Sequence, residues 1–398
     1  SIGFRPGAAT GTLALSAPYL SFAQGNWRTV TGENMKRPAP PTLAQGAGNQ
    51  LTAYAELIDV RDAVSFTGFD KVDLRSTGDL RLLRGNNVVG SGFTQLAAPS
   101  ALDITAAQIY PTTGTNAAIA VGLAPEQIGR ETEVWKNADA LLRIFRSDGD
   151  TPASAPSVFG SISLIGANVE QGGVVRAPLG KVLIGGVSNQ AEGAQLRLLD
   201  GSITSTSAAG LSLPYGGTVD GLQWYVDGTA VEPQEVGGRI AGTNPIGITF
   251  RARQTTMDSG ALLDMSGGGE LTGAAYVSGR GGSVDILRNA LADANPAYAF
   301  SASGNPVYAI LPGYGGSVAP AGLSQGSADP ALGQRIVVPE GVPGLAAGTY
   351  TLLPASFALQ PGAFRVELGS TGVNGVAGAI ATGTGSSGVA GPQGHGLC

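Results

Sequence analysis

The stretch ELIDVRDAVSFTGFDKVDLRSTGDLRLL, residues 56–83, decides the predicted fold. It contains four pairs of apolar residues, each pair split by one residue: Ile58 and Val60, Val64 and Phe66, Val72 and Leu74, Leu80 and Leu82. This spacing places both members of a pair on one face of a β-strand. Asp, Gly, Ser and Thr, which favour turns, lie between the pairs. Ile58 and Leu80 are 22 residues apart, a distance that accommodates three short strands.

The same spacing returns further along the chain. Ile162 and Leu164 are followed twenty residues later by Val182 and Ile184. Further apolar pairs are Leu196 and Leu198, Leu211 and Leu213, Ile248 and Phe250, Leu263 and Met265, and Val284 and Ile286. Short strands that recur every ~20–25 residues between Gly-rich corners are typical of a parallel β-solenoid, in which stacked coils bury a continuous core. A sandwich or barrel is the alternative, but hairpin signals such as Asn-Gly and Asp-Gly between long alternating strands are few.

Composition independently favours an all-β protein. The chain has 398 residues with 63 Gly and 24 Pro, and only 13% of its residues are charged, against ~25% in ordinary globular domains. Gly weakens helix interiors but is common in turns and bulges, which argues against a helical protein. Hydrophobic residues make up 42% of the chain, so there is enough apolar surface to bury, which argues against disorder.

Charge and rare residues exclude several functional classes. The 23 basic and 29 acidic residues give a net charge of -6, and no basic run occurs, so we predict no nucleic-acid binding. No stretch reaches the ~20 apolar residues of a membrane span. His395 and Cys398 are the single His and Cys, so neither an intrachain disulfide nor a Ser-His-Asp site is expected. We predict no cofactor, no metal site and no enzyme activity.

The chain divides into five predicted segments. They are an irregular, strand-rich entry segment (1–56), a solenoid section with an insertion (57–150), a second solenoid section (151–290), a β-rich continuation (291–368) and a Gly-rich, flexible tail (369–398). The chain begins at Ser1 without an initiator Met or signal peptide and ends in a repetitive stretch, which predicts an internal piece of a longer protein.

Three stretches interrupt the solenoid pattern. Residues 28–50 contain a Pro cluster and are predicted as a loop. Residues 124–157 are the most charged part and are predicted to hold a short helix or an edge extension before a Pro/Ser linker. Residues 287–294 have a helix-like pattern that stops before Pro296.

Three acidic residues are candidates for catalysis or calcium binding. Asp258, Asp264 and Glu270 are spaced six residues apart, and paired carboxylates hydrolyse glycosidic bonds in glycosidases. Residues six apart in one coil fall at different corners, and acids beside Gly are common in turns, so turn formation is favoured. Calcium binding by the same acids lacks the Gly-Gly-x-Gly-x-Asp repeat of calcium-binding β-rolls.

Two further stretches have weaker functional alternatives. Residues 278–285, SGRGGSVD, have the glycines of a phosphate loop without its Gly-Lys-Ser/Thr ending, so Gly281 and Gly282 are predicted to turn a corner. Trp224 and Tyr225 fall on opposite faces of a predicted strand, so one of them could stack on a sugar ring, although a core position is favoured.

Six phrases together resemble the filamentous haemagglutinin family of large exoproteins, which Gram-negative bacteria secrete by the two-partner route. They are LDITAAQIYPTTGT, GGVVRAPLGKVLIGG, GLSLPYGGTVDGLQWYVDG, LLDMSGGGELTGAAYVSGRGGSVDIL, VYAILPGY and GLAAGTYTLLPASFALQPGAFRV. The phrases lie between residues 102 and 366, and the resemblance extends from about residue 57 to 368. The resemblance implies a right-handed parallel β-helix, an outer-membrane transporter as partner of the full-length protein, and a secreted or cell-surface location. The amino-terminal secretion domain and an Arg-Gly-Asp motif are absent from the sequence.

The predicted function is therefore that of a shaft segment of an adhesin-like exoprotein. Such a segment would act by multivalent, shape-based contact, with host glycans or matrix proteins as candidate ligands. In this interpretation residues 344–368 are plain shaft, punctuated by Pro354 and Pro361. Their apolar residues would feed a stacked core: Tyr350, Leu352, Phe357, Leu359, Phe364 and Val366.

Two alternatives stay open from the sequence. One is a polysaccharide lyase or glycosidase on the same fold, which would need three acids with an Arg or Lys on one face of the solenoid. The other is a purely structural shaft without a ligand.

Overall fold

A computed structural model describes a large part of the chain. The described residues are 2–3, 10–23, 48–85, 93–123, 135–186, 192–219, 223–226, 229–230, 234–236, 239–241, 246–276, 306–314, 319–320, 335–367, 379–382 and 386–389. They form two compact units: Ser1–Ala209 with Asn244–Gly268, and Gly210–Thr243 with Gly269–Cys398.

The first unit consists of β-strands. In chain order these are β1 Ile2–Gly3, β2 Thr12–Ser16, β3 Tyr19–Ala23, β4 Gln50–Ala55, β5 Leu57–Arg61, β6 Ala63–Thr67, β7 Lys71–Ser76, β8 Leu80–Leu83, β9 Phe93–Ala98, β10 Ala101–Ala106, β11 Ile109–Pro111, β12 Asn116–Val121, β13 Leu141–Arg146, β14 Ser161–Ile165, β15 Asn168–Gly172, β16 Val174–Arg176, β17 Lys181–Gly185, β18 Gly193–Leu198, β19 Ile203–Ser205, β25 Gly247–Met257 and β26 Leu262–Asp264.

The second unit contains the remaining elements. They are β20 Ser212–Val219, β21 Gln223–Val226, β22 Thr229–Ala230, β23 Gln234–Val236, β24 Arg239–Ala241, β27 Glu270–Tyr276, β28 Val307–Ile310, β29 Arg335–Val338, β30 Gly348–Thr351, β31 Leu353–Pro354, the 3₁₀-helix η1 Ala355–Leu359, β32 Phe364–Glu367, β33 Ala379–Thr382 and β34 Ser386–Val389. The described residues are therefore all-β apart from this one 3₁₀ turn, which confirms the predicted class.

The strands of the first unit pass in turn through three parallel sheets. Sheet 1 contains β2, β4, β7, β10, β13, β15, β18 and the second half of β25; sheet 2 contains β3, β5, β8, β11, β16, β19 and β26; sheet 3 contains β1, β6, β9, β12, β14, β17 and the first half of β25. Every pairing within these sheets is parallel, and each strand pairs with the strand about one circuit away in the sequence. This order is compatible with a β-helix.

The register of the sheets follows the apolar pairs of the sequence. Ile58 of β5 lies opposite Leu80 of β8, so the 22-residue spacing is one circuit of the chain. Ile162 of β14 likewise lies opposite Val182 of β17. Because the side-chain period of a strand is two, a slip of one residue would turn every apolar side chain outward, so the buried face fixes the register.

The core of the first unit is a continuous stack of these apolar side chains. All eight residues of the four apolar pairs in residues 56–83 are at least 96% buried, and the pairs in β14, β17 and β18 are buried with them. Full burial of one Val, Leu, Ile or Phe side chain stabilises the fold by about 1.5–3 kcal/mol. The stack therefore supplies most of the stabilisation that can be assigned to side chains.

One predicted pair is only half correct. Leu263 packs against the core, but Met265 is 61% exposed. Strand β26 ends at Asp264, so the alternation of faces does not extend to the next residue. Val284 and Ile286 lie outside the described residues.

The interrupting stretches also differ from prediction. In the described part of the charged stretch, residues 135–157, there is no helix, and β13 is an internal strand between β10 and β15 rather than an edge extension. Its apolar residues Leu142 and Ile144 are buried in the core, which outweighs the charge of their neighbours. Residues 287–294 and most of the predicted loop at 28–50 lie outside the described residues.

Residues 344–367 are not built like the parallel sheets. They lie in the second unit, where β30 pairs antiparallel with β29, and β31 and β32 pair antiparallel with β28. The expectation of plain parallel shaft is therefore wrong for this stretch. The predicted apolar positions Leu352, Phe364 and Val366 are nevertheless buried in a separate apolar cluster, because alternation has the same period in both kinds of sheet.

Candidate functional site

A polar column lies along the outer face of sheet 2. In β5 and β8 the core-facing residues flank one outward residue each, and the register places Asp59 opposite Arg81 and Arg81 opposite Tyr110. Ile109 lies opposite Val175, which puts Tyr110 beside Arg176. We define the polar column by its members from successive circuits: Ser21, Asp59, Arg81, Tyr110, Arg176, Ser205 and Asp264.

The most buried part of the polar column is an ion pair. Arg81 donates from Nε to Asp59 Oδ1 and from Nη2 to Oδ2, both at 2.8 Å, and the Tyr19 hydroxyl donates to Asp59 Oδ2 at 2.9 Å. Asp59 is 2% exposed and Arg81 8%. Burial alone would lower the pKa of Arg81, but the charge and hydrogen bonds of Asp59 outweigh burial and raise it. The Arg81 guanidinium is therefore charged at every ordinary pH.

A second carboxylate lies at the edge of the polar column. Asp79 precedes β8, and its Oδ2 accepts a hydrogen bond from the Tyr110 hydroxyl at 3.0 Å and from Gln108 Nε2 at 3.5 Å. Burial raises the pKa of Asp79, against the opposing effects of these two hydrogen bonds and of the Arg81 and Arg176 charges. A carboxyl group with a raised pKa beside a tyrosine is a combination suited to acid–base chemistry.

Arg176 of the polar column binds a segment, residues 147–160, that contains no strand. Its Nη1 donates to Gln108 Oε1 at 2.9 Å and to the carbonyl oxygens of Pro152 and Ala153, both at 2.8 Å. Burial lowers the pKa of Arg176 despite the attraction of Asp79 and Asp264. The circuit that contains β13 and β14 has no strand in sheet 2. Within residues 147–160 of that circuit, Pro152 and Ala153 instead contact Arg176 through their carbonyl groups.

The raised pKa of Asp79 predicts that the ionised carboxylate destabilises the fold. The folded state holds this proton more tightly than the unfolded chain, so the penalty is absent below about pH 4 and complete above the folded-state pKa. We expect Asp79→Asn, which keeps an acceptor for Tyr110, to raise the Tm at pH 7 by about 2–4 °C for each kcal/mol of relief. Thermal unfolding at pH 7 and at pH 3.5 measures this. The exposed control Asp150→Asn should change the Tm at neither pH, and an Asp79→Asn gain that persists unchanged at pH 3.5 would contradict the assignment.

The outer face of sheet 1 carries a row of charges, of which Asp73 and Asp103 are buried and Arg197 is exposed. Consecutive strands place Asp73, Asp103, Arg143, Glu170 and Arg197 opposite one another. Arg143 binds Asp103 through two hydrogen bonds of 2.7 Å, and Arg197 binds Glu170 at 2.9 Å. We define the charged face by these five residues.

Longer side chains flank the charged face. Lys71 pairs with Asp103 at 3.2 Å, and Arg75 binds Asp73 within one strand. Tyr54 lies opposite Arg75 and is 49% exposed, and Arg143 lies over the ring of Phe145 at 5.7 Å. Charges of both signs and aromatic rings therefore follow one another at the spacing of the strands, ~4.8 Å.

Two of the three acids singled out in the sequence, Asp258 and Asp264, accept hydrogen bonds from the backbone. Asp264 accepts hydrogen bonds from the Ser266 amide at 3.0 Å, the Ser266 hydroxyl at 2.6 Å and the Ser205 hydroxyl at 3.3 Å, and the Ser266 hydroxyl is the main cause that lowers the pKa of Asp264. Asp258 accepts the amide of Asp200 at 3.2 Å. Glu270 begins β27 in the second unit. Backbone hydrogen bonds to Asp258 and Asp264 are what turn residues make.

The other predicted positions give no side-chain information. Trp224 and Tyr225 lie in β21, opposite Thr218 and Gly217 of β20, but their side chains lie outside the described residues. Residues 278–285, His395 and Cys398 also lie outside them.

Neither the polar column nor the charged face was predicted from the sequence, although the spacing of the charged residues indicates both. Asp59 and Arg81 follow Ile58 and Leu80 directly, so the same 22-residue spacing that pairs the apolar residues pairs the charges. The charged face of sheet 1 could have been predicted in the same way, because each of its charged residues lies beside an apolar residue that faces the core.

The comparisons with known proteins are all negative. No family model matches the chain, and neither a curated protein nor a solved structure matches it. In the described residues no helix is long and apolar enough to cross a membrane, and no group of three or more His, Cys, Asp or Glu side chains is arranged to hold a metal ion.

Proposed function

We propose that the first unit is a right-handed parallel β-helix and that the chain is a shaft segment of a secreted or surface-displayed, adhesin-like exoprotein. The order of the strands through three parallel sheets supports the β-helix. Connections between parallel strands of one sheet are right-handed in about 98% of cases, which supports the handedness. The resemblance to filamentous haemagglutinin-type exoproteins supports the function, with an outer-membrane transporter as partner of the full-length protein.

The charged face of sheet 1 is the observation that carries the adhesive role. Its charges are ordered by ion pairs in which Asp73 and Asp103 are buried, while the Arg197 side chain is 51% and the flanking Arg75 side chain 57% accessible. A face with repeated charges and a half-exposed Tyr54 can bind a repetitive polymer at several points at once. Many weak contacts along one face would give avidity without a deep pocket.

A glycan and extracellular-matrix array on the purified chain tests this role. We expect saturable binding without cleavage, weakened about tenfold or more when Tyr54→Ala and Arg75→Ala are combined, because both an aromatic surface and a charge are lost. Lys181→Ala removes a positive charge from sheet 3 and serves as the matched control. Binding that is equally strong in all three proteins would contradict the role of the charged face.

A polysaccharide lyase or glycosidase is the second candidate. The group around Asp79 favours it, because Asp59, Asp79 and Asp264 lie on or beside one polar column with Arg81 and Arg176. Against it, the Asp59 carboxylate is already bound by Arg81 and Tyr19. A depolymerisation screen separates the two candidates: cleavage that Asp79→Asn abolishes would make the protein an enzyme.

A purely structural shaft is the third candidate. It predicts neither binding nor cleavage in the same two screens, while the chain remains folded by circular dichroism.

A further inference from the structure

The ion pairs of the charged face and its flanks share one arrangement, in which the basic side chain is the more exposed member. They are Lys71–Asp103, Arg75–Asp73, Arg143–Asp103 and Arg197–Glu170. In the first pair, for example, 41% of the lysine side chain is exposed but only 9% of the aspartate side chain. A molecule that approaches sheet 1 from solvent therefore meets ammonium and guanidinium groups before it meets carboxylates.

The acids orient the arginines that lie above them. Asp103 accepts hydrogen bonds from Nε and Nη2 of Arg143, and Asp73 accepts them from the same two nitrogens of Arg75. Nη1 of both arginines takes no part in these bonds. Because the carboxylate fixes the plane of each guanidinium, a ligand that binds the remaining N–H groups loses little side-chain entropy. The charged face is therefore a preorganised set of donors.

The bases recur on every second strand of sheet 1. Lys71 and Arg75 lie in β7, Arg143 lies in β13 and Arg197 lies in β18, while β10 and β15 carry acids between them. Successive bases are thus two strand spacings apart, ~10 Å, and the set spans four spacings, ~19 Å. An anionic ligand that fits must be linear, with negative charges far enough apart to avoid the intervening acids.

We propose that the charged face binds a linear polyuronate that lies across the strands of sheet 1. This inference rests on the proposed adhesive function and names its ligand class. A planar carboxylate matches the fork of a guanidinium, as the bonds of Arg143 to Asp103 show. In an extended polyuronate whose successive sugars face opposite sides, the carboxylates of one side recur at every second sugar, a spacing similar to that of the bases. Tyr54, which lies opposite Arg75, offers an aromatic surface to a sugar ring at one end.

Titration of the full chain with poly-β-1,4-mannuronate tests the ligand class, with β-1,4-mannan as the neutral polymer of the same linkage. We expect saturable binding of the mannuronate by calorimetry and no binding of the mannan. The affinity should fall as NaCl is raised, because salt screens exposed charges. Size-fractionated oligomers should gain affinity with length until they span the four strand spacings, ~19 Å, and should gain little beyond that length.

Arginine variants test the placement on the charged face. Arg143→Gln combined with Arg197→Gln removes two of the bases and should weaken mannuronate binding about tenfold or more. Arg335→Gln changes an exposed strand arginine of the second unit in the same way, and this matched control should bind as the parent does. Should the double variant fail to fold, Arg197→Gln alone, which breaks only an exposed pair, should still weaken binding about threefold or more.

Equal binding of the mannan, or parent-like binding by the double variant, overturns the proposal. Tighter binding of dextran sulfate that the same double variant abolishes overturns the choice of a carboxylate ligand. Array ligands whose binding is weakened by Tyr54→Ala with Arg75→Ala, in a protein without affinity for mannuronate, would overturn the ligand class and leave the adhesive role in place. Absence of binding both on the array and in the mannuronate titration would overturn the two proposals together.

Discussion

Gly180→Ala is expected to unfold or severely destabilise the first unit. A Cβ atom on Gly180 would lie 1.8 Å from the carbonyl oxygen of Gly160, far inside any van der Waals contact. Both atoms belong to neighbouring circuits, and the amide of Lys181 donates to the same oxygen at 3.1 Å. The added methyl group cannot be accommodated by a side-chain rotation, because the atom that it meets is backbone. The circuits must separate there, and the pairing of Ser161 with Lys181 is lost.

We expect this substitution to lower the free energy of unfolding by about 3 kcal/mol or more, which is the upper end of the effects of overpacking. The φ of Gly180 is not left-handed, so the cost is steric rather than conformational. Urea unfolding followed by circular dichroism measures the loss, and hydrogen exchange at the Lys181 amide locates it. Gly267→Ala is the matched control, because nothing lies within 4 Å of the added atom; its change should stay within about 0.5 kcal/mol. Equal stability of the two variants would refute the close approach of the circuits.

The parallel sheets could be predicted because two independent regularities coincide in the sequence. Alternation within residues 56–83 identifies the strands, and the recurrence after 22 residues identifies the neighbour of each strand, as Ile58 and Leu80 show. Both regularities express burial of one face, the largest favourable term in folding. Where a circuit contains an insertion, as between β12 and β14, the spacing changes and the sequence no longer shows which strands are neighbours.

The antiparallel pairing in the second unit could not be predicted from alternation and spacing. Tyr350, Leu352, Phe364 and Val366 alternate as they would in a parallel sheet, since the period of two depends on the strand and not on the direction of its neighbour. Direction is set by the connection, and here a 3₁₀ turn between Pro354 and Gln360 precedes β32. The sequence contains no short motif that distinguishes this turn from a solenoid corner.

The outer surfaces were missed for a different reason. An acid in the middle of a strand has the same sequence signature whether it faces water or an arginine, and the difference depends on the neighbouring circuit. Asp59 and Arg81 are each unremarkable alone, and only the register joins them. Acids close to Gly, such as Asp258 and Asp264, attracted functional hypotheses although the structure uses both for backbone hydrogen bonds.

Removing the Arg81 guanidinium should lower the free energy of unfolding nearly as much as the steric clash that Gly180→Ala creates. In Arg81→Met the Asp59 carboxylate stays buried and, among the described residues, retains only the Tyr19 hydroxyl as a partner. Breaking a buried pair in this way costs about 3–5 kcal/mol. Arg197→Met is the matched control, because Arg197 also binds an acid of the adjacent strand but its side chain is 51% exposed. Loss of an exposed pair costs about 0–1 kcal/mol.

The double variant Asp59→Asn/Arg81→Met separates the pair from its burial. The amide that replaces the Asp59 carboxylate is neutral and still accepts the Tyr19 hydroxyl, so we expect the double variant to be more stable than Arg81→Met alone, with a coupling energy of about 2–3 kcal/mol. Urea midpoints of the four proteins complete the cycle. Additive losses would mean that the two charges do not interact. A large coupling would mean that the pair selects the register of β5 on β8, because a slip by one residue places Asp59 against an aliphatic neighbour and leaves both charges buried without partners.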